Sequence, residues 1–74
     1  CMEFHRYEYS EYDLTTFYVV KDGMTKCHIN CREGEIERST TRPIPEPVNS
    51  EEIEESELPD DVRHEIEALL TYYD

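Results

Sequence analysis

Residues 15–30 read TTFYVVKDGMTKCHIN, and this stretch decides the fold. The dipeptide Asp22-Gly23 separates two runs that are rich in β-branched and aromatic residues. Such a dipeptide between such runs is the strongest short-range sequence signal for a β-hairpin. We therefore predict two antiparallel strands joined by a two-residue type I′ turn.

The predicted register divides the side chains of this hairpin between two faces. A two-residue loop places Val20 opposite Thr25 and Leu14 opposite Cys31, so four residues of each strand share one face. The other face mixes lysines with apolar residues, and we expect at least half of it to be exposed to solvent. The expected core face consists of Leu14, Thr16, Tyr18, Val20, Thr25, Cys27, Ile29 and Cys31.

A second hairpin is predicted immediately after the first. Glu33-Gly34 has the composition of a tight turn, and a turn there places Ile36 opposite Cys31. The ladder is then expected to continue to about Thr41. The sheet gains one more strand on this side.

The regions before and after the two hairpins complete the sheet and end it. The aromatic-rich run MEFHRYEY, residues 2–9, is typical of a strand. Residues 2–41 are thus predicted to form an antiparallel β-meander of three to four strands. Residues 42–49 follow as a stiff connector, because alternating prolines remove backbone donors and favour extended geometry. These prolines are Pro43, Pro45 and Pro47.

Residues 59–73 are predicted to form an amphipathic helix. Pro59 suits a first helical turn, and Asp60 and Asp61 complement the helix macrodipole there. A helix this short is marginal alone, so the core face of the sheet is its simplest cover. We therefore predict an α+β fold, with the helix packed on one face of a small meander. The apolar stripe consists of Val62, Ile66, Leu69, Leu70 and Tyr73.

The charge of the chain is concentrated in one segment. The 74 residues carry a net charge of −12, and eight of the nineteen acidic residues lie in residues 46–61, which contain no Lys or Arg. Counterion release at nucleic acid and attraction to anionic lipid both need clustered basic residues. Direct binding to nucleic acid or to a membrane is therefore disfavoured. Residues 50–58 are expected to form a looser acidic segment.

The acidic segment predicts a protein partner. A concentrated carboxylate field attracts a basic protein surface, including that of a protein which itself binds nucleic acid. We therefore expect a non-catalytic interaction module or inhibitor, with solubility or salt adaptation as the alternative use of the charge. The predicted partner-binding residues are Glu51, Glu52, Glu54, Glu55, Glu57, Asp60 and Asp61.

A divalent cation is the second alternative for the same acids. Calcium binds six to eight oxygen ligands, but the alternating order and the glycine of an EF-hand loop are absent here. Diffuse cation binding is more typical of such a run. The alternative calcium ligands are Glu51, Glu54, Glu55, Asp60 and Asp61.

Catalysis and zinc binding receive less support. Cys27 and Cys31 would lie about 13 Å apart along a strand, with His28 on the opposite face, so we predict core thiols rather than zinc ligands. No nucleophile with a base and no phosphate-binding glycine loop is present in the sequence, so we expect no enzyme.

We expect Met2 to be the native start. The lack of a signal or spanning segment then favours the reducing cytoplasm.

Overall fold

The computed structural model describes residues 2–9, 15–42, 44–45 and 47–73. These residues form a five-stranded antiparallel sheet and one C-terminal helix, which confirms the predicted α+β class. The strand order is β4-β3-β2-β1-β5. The elements are β1 (Glu3–Glu8), β2 (Thr15–Asp22), β3 (Met24–Arg32), β4 (Glu35–Thr40), β5 (Asn49–Ile53) and α1 (Asp60–Tyr73).

The fifth strand corrects the prediction that the sheet ends near Thr41 and that residues 50–58 are loose. Strand β5 lies in the acidic segment and pairs with β1, so that Phe4 is opposite Ile53. Ile53 is only 6% exposed and belongs to the core. Burial of this side chain and the free edge of β1 together favour a strand over the loose segment that the charge suggested.

The first hairpin turns at Gly23, but its predicted register is wrong. Val20 pairs with Cys27 rather than with Thr25, and a bulge follows Val20. Of the two turn residues only Gly23 has a positive φ, of 79°, whereas a type I′ turn requires both to be positive. The register therefore shifts by two residues. Because side chains alternate with a period of two, this shift leaves the residues beyond the bulge on their predicted faces. Thr25 is an exception, since it pairs with Lys21 and therefore leaves the predicted core face.

The second hairpin forms as predicted. Glu33 and Gly34 have φ values of 54° and 82°, the left-handed pair that a type I′ turn requires. Cys31 pairs with Ile36, and the ladder continues to Thr40. A bulge in β4 then reverses the alternation.

That bulge decides which residues of β4 face the helix. Two consecutive residues of β3 pair with Ile36 and Arg38, so the residue of β4 between these two has no partner in the ladder. Ile36 packs against the core, and the Ser39 hydroxyl lies 3.4 Å from a carboxylate oxygen of Glu65 on α1. Arg38 and Thr40 therefore lie on the opposite face of the sheet.

The core lies between α1 and one face of the sheet, here called the helix face. Helix α1 packs against β3 and β4, and its predicted apolar stripe supplies four of the contacting residues. Leu58, just before the helix, is 5% exposed and joins them. Leu14 and the side chain of Tyr73 fall outside the described residues, and Thr25 is only half-buried. The buried cluster consists of Val20, Cys27, Ile29, Cys31, Ile53, Leu58, Val62 and Ile66.

The proline-rich connector crosses the other face, here called the connector face. Strands β4 and β5 are the two edges of the sheet, so residues 41–48 span four strand spacings, roughly 19 Å. Ile44 lines a cleft with Phe17, and the Tyr9 hydroxyl donates a hydrogen bond of 2.7 Å to the Pro45 carbonyl. This cover makes the connector face drier than predicted, since Tyr7, Val19 and His28 are all buried there.

Candidate functional site

The seven predicted partner-binding carboxylates lie on three consecutive elements. Two belong to β5, three to a single 3-10 turn with the residue before it, and two to the first turn of α1. All seven residues are exposed. They follow one another along the chain from β5 to the start of α1, and we call this set of residues the acidic edge. The acidic edge consists of Glu51, Glu52, Glu54, Glu55, Glu57, Asp60 and Asp61.

Glu51 is already engaged within the protein. It stands directly opposite Arg6 on β1, and the two side chains form an ion pair. The hydrogen bond to Glu51 raises the pKa of Arg6, so the guanidinium is firmly charged. Because Arg6 balances its charge, Glu51 contributes less to a partner than its exposure suggests.

The 3-10 turn, Glu55–Glu57, uses two of the acids to hold its own shape. The Glu54 backbone N–H donates to a carboxylate oxygen of Glu57 at 2.8 Å. The Glu57 N–H donates in turn to the Glu54 carbonyl at 2.9 Å. This reciprocal arrangement satisfies backbone groups at the start of the turn. Glu57 is therefore a local structural residue as well as a surface charge.

The aspartates at the start of α1 also have local partners. Asp60 accepts a hydrogen bond of 2.7 Å from the Arg63 guanidinium, one turn along the helix. Asp61 accepts one of 2.9 Å from the Val62 backbone N–H. Both carboxylates complement the positive end of the helix macrodipole. Within the described part of the chain, Glu52 and Glu55 are thus the members of the acidic edge whose side chains have no ion pair or hydrogen bond.

The acids of the calcium alternative do not meet at one point. They are distributed over the strand, the turn and the helix start. Among the residues described, no three acidic, histidine or cysteine side chains are grouped so that they could hold a metal ion. The outer end of the segment, Glu46, lies outside those residues.

The cysteines are core residues, as predicted. Cys27 and Cys31 are 1% and 6% exposed, carry free thiols and face the helix, whereas His28 faces the connector. Burial raises the pKa of each thiol to about 11. For Cys31 the nearby charge of Asp61 adds to this effect. Both groups are therefore neutral at physiological pH and serve as small apolar side chains.

The sequence reasoning missed a cleft on the connector face. It lies between β3, β4 and the connector, and its lining includes Arg38, Arg42 and the buried His28. Residues two apart on a strand share a face, so the sequence did indicate that His28 and Asn30 of β3 lie on the same face. The bulge in β4 and the path of the connector, which bring the arginines to the same place, had no comparable signal.

The sequence matches no known protein-family model, and neither a curated protein nor a solved structure is significantly similar to it. Helix α1, the one helix longer than a single turn among the described residues, is too short and too polar to cross a membrane.

Proposed function

We propose that this chain is a non-catalytic interaction module whose acidic edge binds a basic segment of another protein. The observation that carries the proposal is the position of β5. It is an edge strand, with β1 on one side and no other described strand on its outer side. The exposed carboxylates of Glu52 and Glu55 lie on and next to that strand.

An edge strand offers a partner both backbone and side-chain contacts. An extended peptide can add to it as a further strand, so that main-chain hydrogen bonds provide affinity. Side chains of an added strand alternate between the two faces of the sheet, and Lys or Arg on the face of Glu52 would find an uncompensated carboxylate. A basic β-forming segment therefore fits this edge best.

The same charge disfavours pairing of β5 with β5 of a second copy of this chain. Two copies of β5 placed edge to edge would bring their carboxylates together, and that repulsion disfavours self-association. A basic segment reverses the sign of the interaction. The acidic edge thus repels a second copy of the same chain and attracts an oppositely charged chain.

The net charge supports fast and salt-sensitive association. A protein with a charge of −12 steers a cation towards its surface over a distance that added salt shortens. Charges at the rim of an interface act mainly on the association rate. We expect the association rate to fall steeply as the ionic strength rises.

Exposure of the acidic edge supports binding rather than catalysis. A catalytic carboxyl pair needs a water-poor site that separates the two pKa values, whereas these seven residues are all exposed. The free thiols of Cys27 and Cys31 are consistent with the reducing cytoplasm as the place of action.

The test uses a synthetic peptide of alternating Lys and Val as the probe. Its binding would be followed by amide-resolved NMR and by association kinetics at several salt concentrations. We expect saturable shifts in β5 and a loss of binding when alternate peptide amides are N-methylated, because that blocks strand addition. Shifts confined to other parts of the protein would contradict the proposal.

A pair of matched variants isolates the contribution of the charge. Glu52→Gln with Glu55→Gln removes two carboxylates that have no hydrogen bond or ion pair among the described residues, and we expect binding to weaken roughly threefold to tenfold. Glu35→Gln with Glu37→Gln removes the same charge from the opposite sheet edge, and we expect a much smaller change. Equal effects of the two pairs would show that only net charge matters and would reject a specific acidic edge.

A further inference from the structure

The cleft on the connector face has the dimensions of a small-molecule site and lies away from the acidic edge. Its volume is about 470 Å³, which falls within the range of roughly 300–1,000 Å³ that is usual for ligand pockets. Strands β2, β3 and β4 form its floor and the connector forms one wall. The principal lining residues are Phe17, His28, Asn30, Arg38, Arg42 and Ile44.

The cleft brings together two cations, Arg38 and Arg42, at one opening. Arg38 and Arg42 are exposed, and within the described residues neither guanidinium has an ion pair or a hydrogen bond. The chain has nineteen acidic residues for seven basic ones, so carboxylate partners are abundant. Two guanidiniums at one opening form a planar, multi-donor site for an oxyanion.

Two buried polar groups in the cleft also lack partners. His28 is 5% exposed, and its Nδ1 atom and the Oδ1 atom of Asn30 have no hydrogen-bond partner among the described residues. His28 has one hydrogen bond, to the backbone of Arg42. Burial lowers the pKa of His28, so the ring is neutral and its Nδ1 atom is an acceptor. Unsatisfied buried acceptors are costly, so both atoms favour a donor from a bound molecule.

Apolar groups complete the lining. Phe17 contacts the His28 ring at a centroid separation of 5.7 Å and the Tyr9 ring edge-on at 5.0 Å. Ile44 approaches from the connector side. An aromatic floor beside an aliphatic wall favours a flat, apolar part of a ligand.

We propose that this cleft binds a small organic anion that carries a planar ring and hydrogen-bond donors. Its phosphate or carboxylate would contact Arg38 and Arg42, its hydroxyl or amino groups would donate to His28 and Asn30, and its ring would contact Phe17. This site goes beyond the proposed function, since it shares no residue with the acidic edge. The negative charge of the whole protein opposes the ligand, so the expected Kd is on the order of 0.1–1 mM.

The experiment is an amide-resolved NMR titration of the full chain at fixed ionic strength. One arm uses adenosine monophosphate as a phosphate source, and the other uses 4-hydroxybenzoate as a carboxylate source. Saturable shifts at Asn30, Thr40 and Arg42 with either probe would support the site. The arm with the tighter Kd identifies the oxyanion. Lack of saturation with both probes up to about 10 mM, ten times the weakest expected Kd, would overturn the proposal.

Two further ligands test the contribution of each part of the probe. Inorganic phosphate has the oxyanion alone, and adenosine has the ring and donors alone. We expect both to bind at least about tenfold more weakly than a probe that combines them, because each loses one set of contacts. Binding of inorganic phosphate as tight as that of adenosine monophosphate would overturn the proposed ligand class.

Variants separate a specific site from general charge. Arg38→Gln with Arg42→Gln changes two exposed residues, so the fold should be retained, and we expect affinity to fall by about tenfold or more. Arg63→Gln on α1, combined with Arg32→Gln at the end of β3, gives the same change in net charge outside the cleft lining. Equal losses in the two double variants would reject the site, as would unchanged affinity in the first.

Discussion

Arg6 on β1 and Glu51 on β5 stand directly opposite each other, and their side chains form an ion pair between residues 45 positions apart in the chain. The pair ties the acidic segment to the first strand of the sheet. It also accounts for one of the carboxylates of the acidic edge, which is compensated internally while its neighbours face solvent.

A double-mutant cycle on this pair should give a small favourable coupling. Arg6→Gln and Glu51→Gln each remove one partner, and we expect a coupling of about 0.2–1 kcal/mol because both side chains are partly exposed. Urea unfolding at low and high salt would measure it, and high salt should reduce it. A coupling unaffected by salt would show that packing, rather than charge, links the two residues.

Replacement of Ile29 should be among the most destabilising changes in the chain. Ile29 is 0% exposed and lies on the helix face beneath α1. Ile29→Ala should lower the free energy of unfolding by about 2–5 kcal/mol through lost burial and a cavity. Val48→Ala, at a position that is 68% exposed, is the control and should change it by less than about 0.5 kcal/mol. Similar effects at the two positions would contradict this arrangement of the core.

The second turn offers a stabilising substitution. Glu33 has a φ of 54°, a left-handed conformation that costs most residues about 1–2 kcal/mol but is tolerated by Asn. Glu33→Asn should therefore raise the free energy of unfolding by up to about 1 kcal/mol. Glu33→Gln makes the same charge change without that backbone preference and serves as the control. Equal stabilisation by both would attribute the gain to charge alone.

The buried thiols should react slowly in the folded state. With a pKa of about 11, the thiolate fraction of Cys27 and Cys31 at about pH 8 is on the order of a hundredfold below that of an ordinary thiol. Alkylation by iodoacetamide, mapped by peptide mass spectrometry, should be slow in buffer and fast in denaturant. Rapid labelling of either cysteine in buffer would contradict its position in the core.

Protonation of His28 should destabilise the fold. Burial lowers the pKa of His28 below the ordinary value, so the unfolded state binds the proton first as the pH falls through about 6.5. Stability should therefore decrease between neutral pH and mildly acidic pH. His28→Gln removes the titrating group, and its unfolding free energy should depend less on pH across that range. Identical pH profiles for the two proteins would refute the prediction.

The sequence predicted the elements whose signals are local. The Glu33-Gly34 turn, the two faces of the hairpin and the helix all follow from turn chemistry or side-chain period. The turn at Gly23 was located, but its register was not, because a single bulge after Val20 shifts the pairing of the two strands by two residues beyond it and moves Thr25 to the other face. Such bulges depend on the twist of the whole sheet rather than on a local pattern.

Features that join distant segments escaped prediction. Four of the five residues of strand β5 are polar, two of them acidic, and only Ile53 within it indicates burial. Its pairing with β1 depends on the connector crossing the sheet, which no local pattern encodes. For the same reason the sequence indicated which acidic residues are exposed. It did not indicate that Arg38, Arg42 and His28 line one cleft.

The position of β1 between β2 and β5 has a consequence for synthesis on the ribosome. The first four strands can pair in sequence as they emerge, since each contacts the one before it. The first strand keeps one open edge until residues 49–53 emerge and close a long loop, whose entropy cost slows such non-local pairing. A nascent chain in which residues 49–53 have not yet paired therefore exposes the edge of β1, with Phe4 and Tyr7 along it, and the acidic strand β5 is the segment that closes this edge.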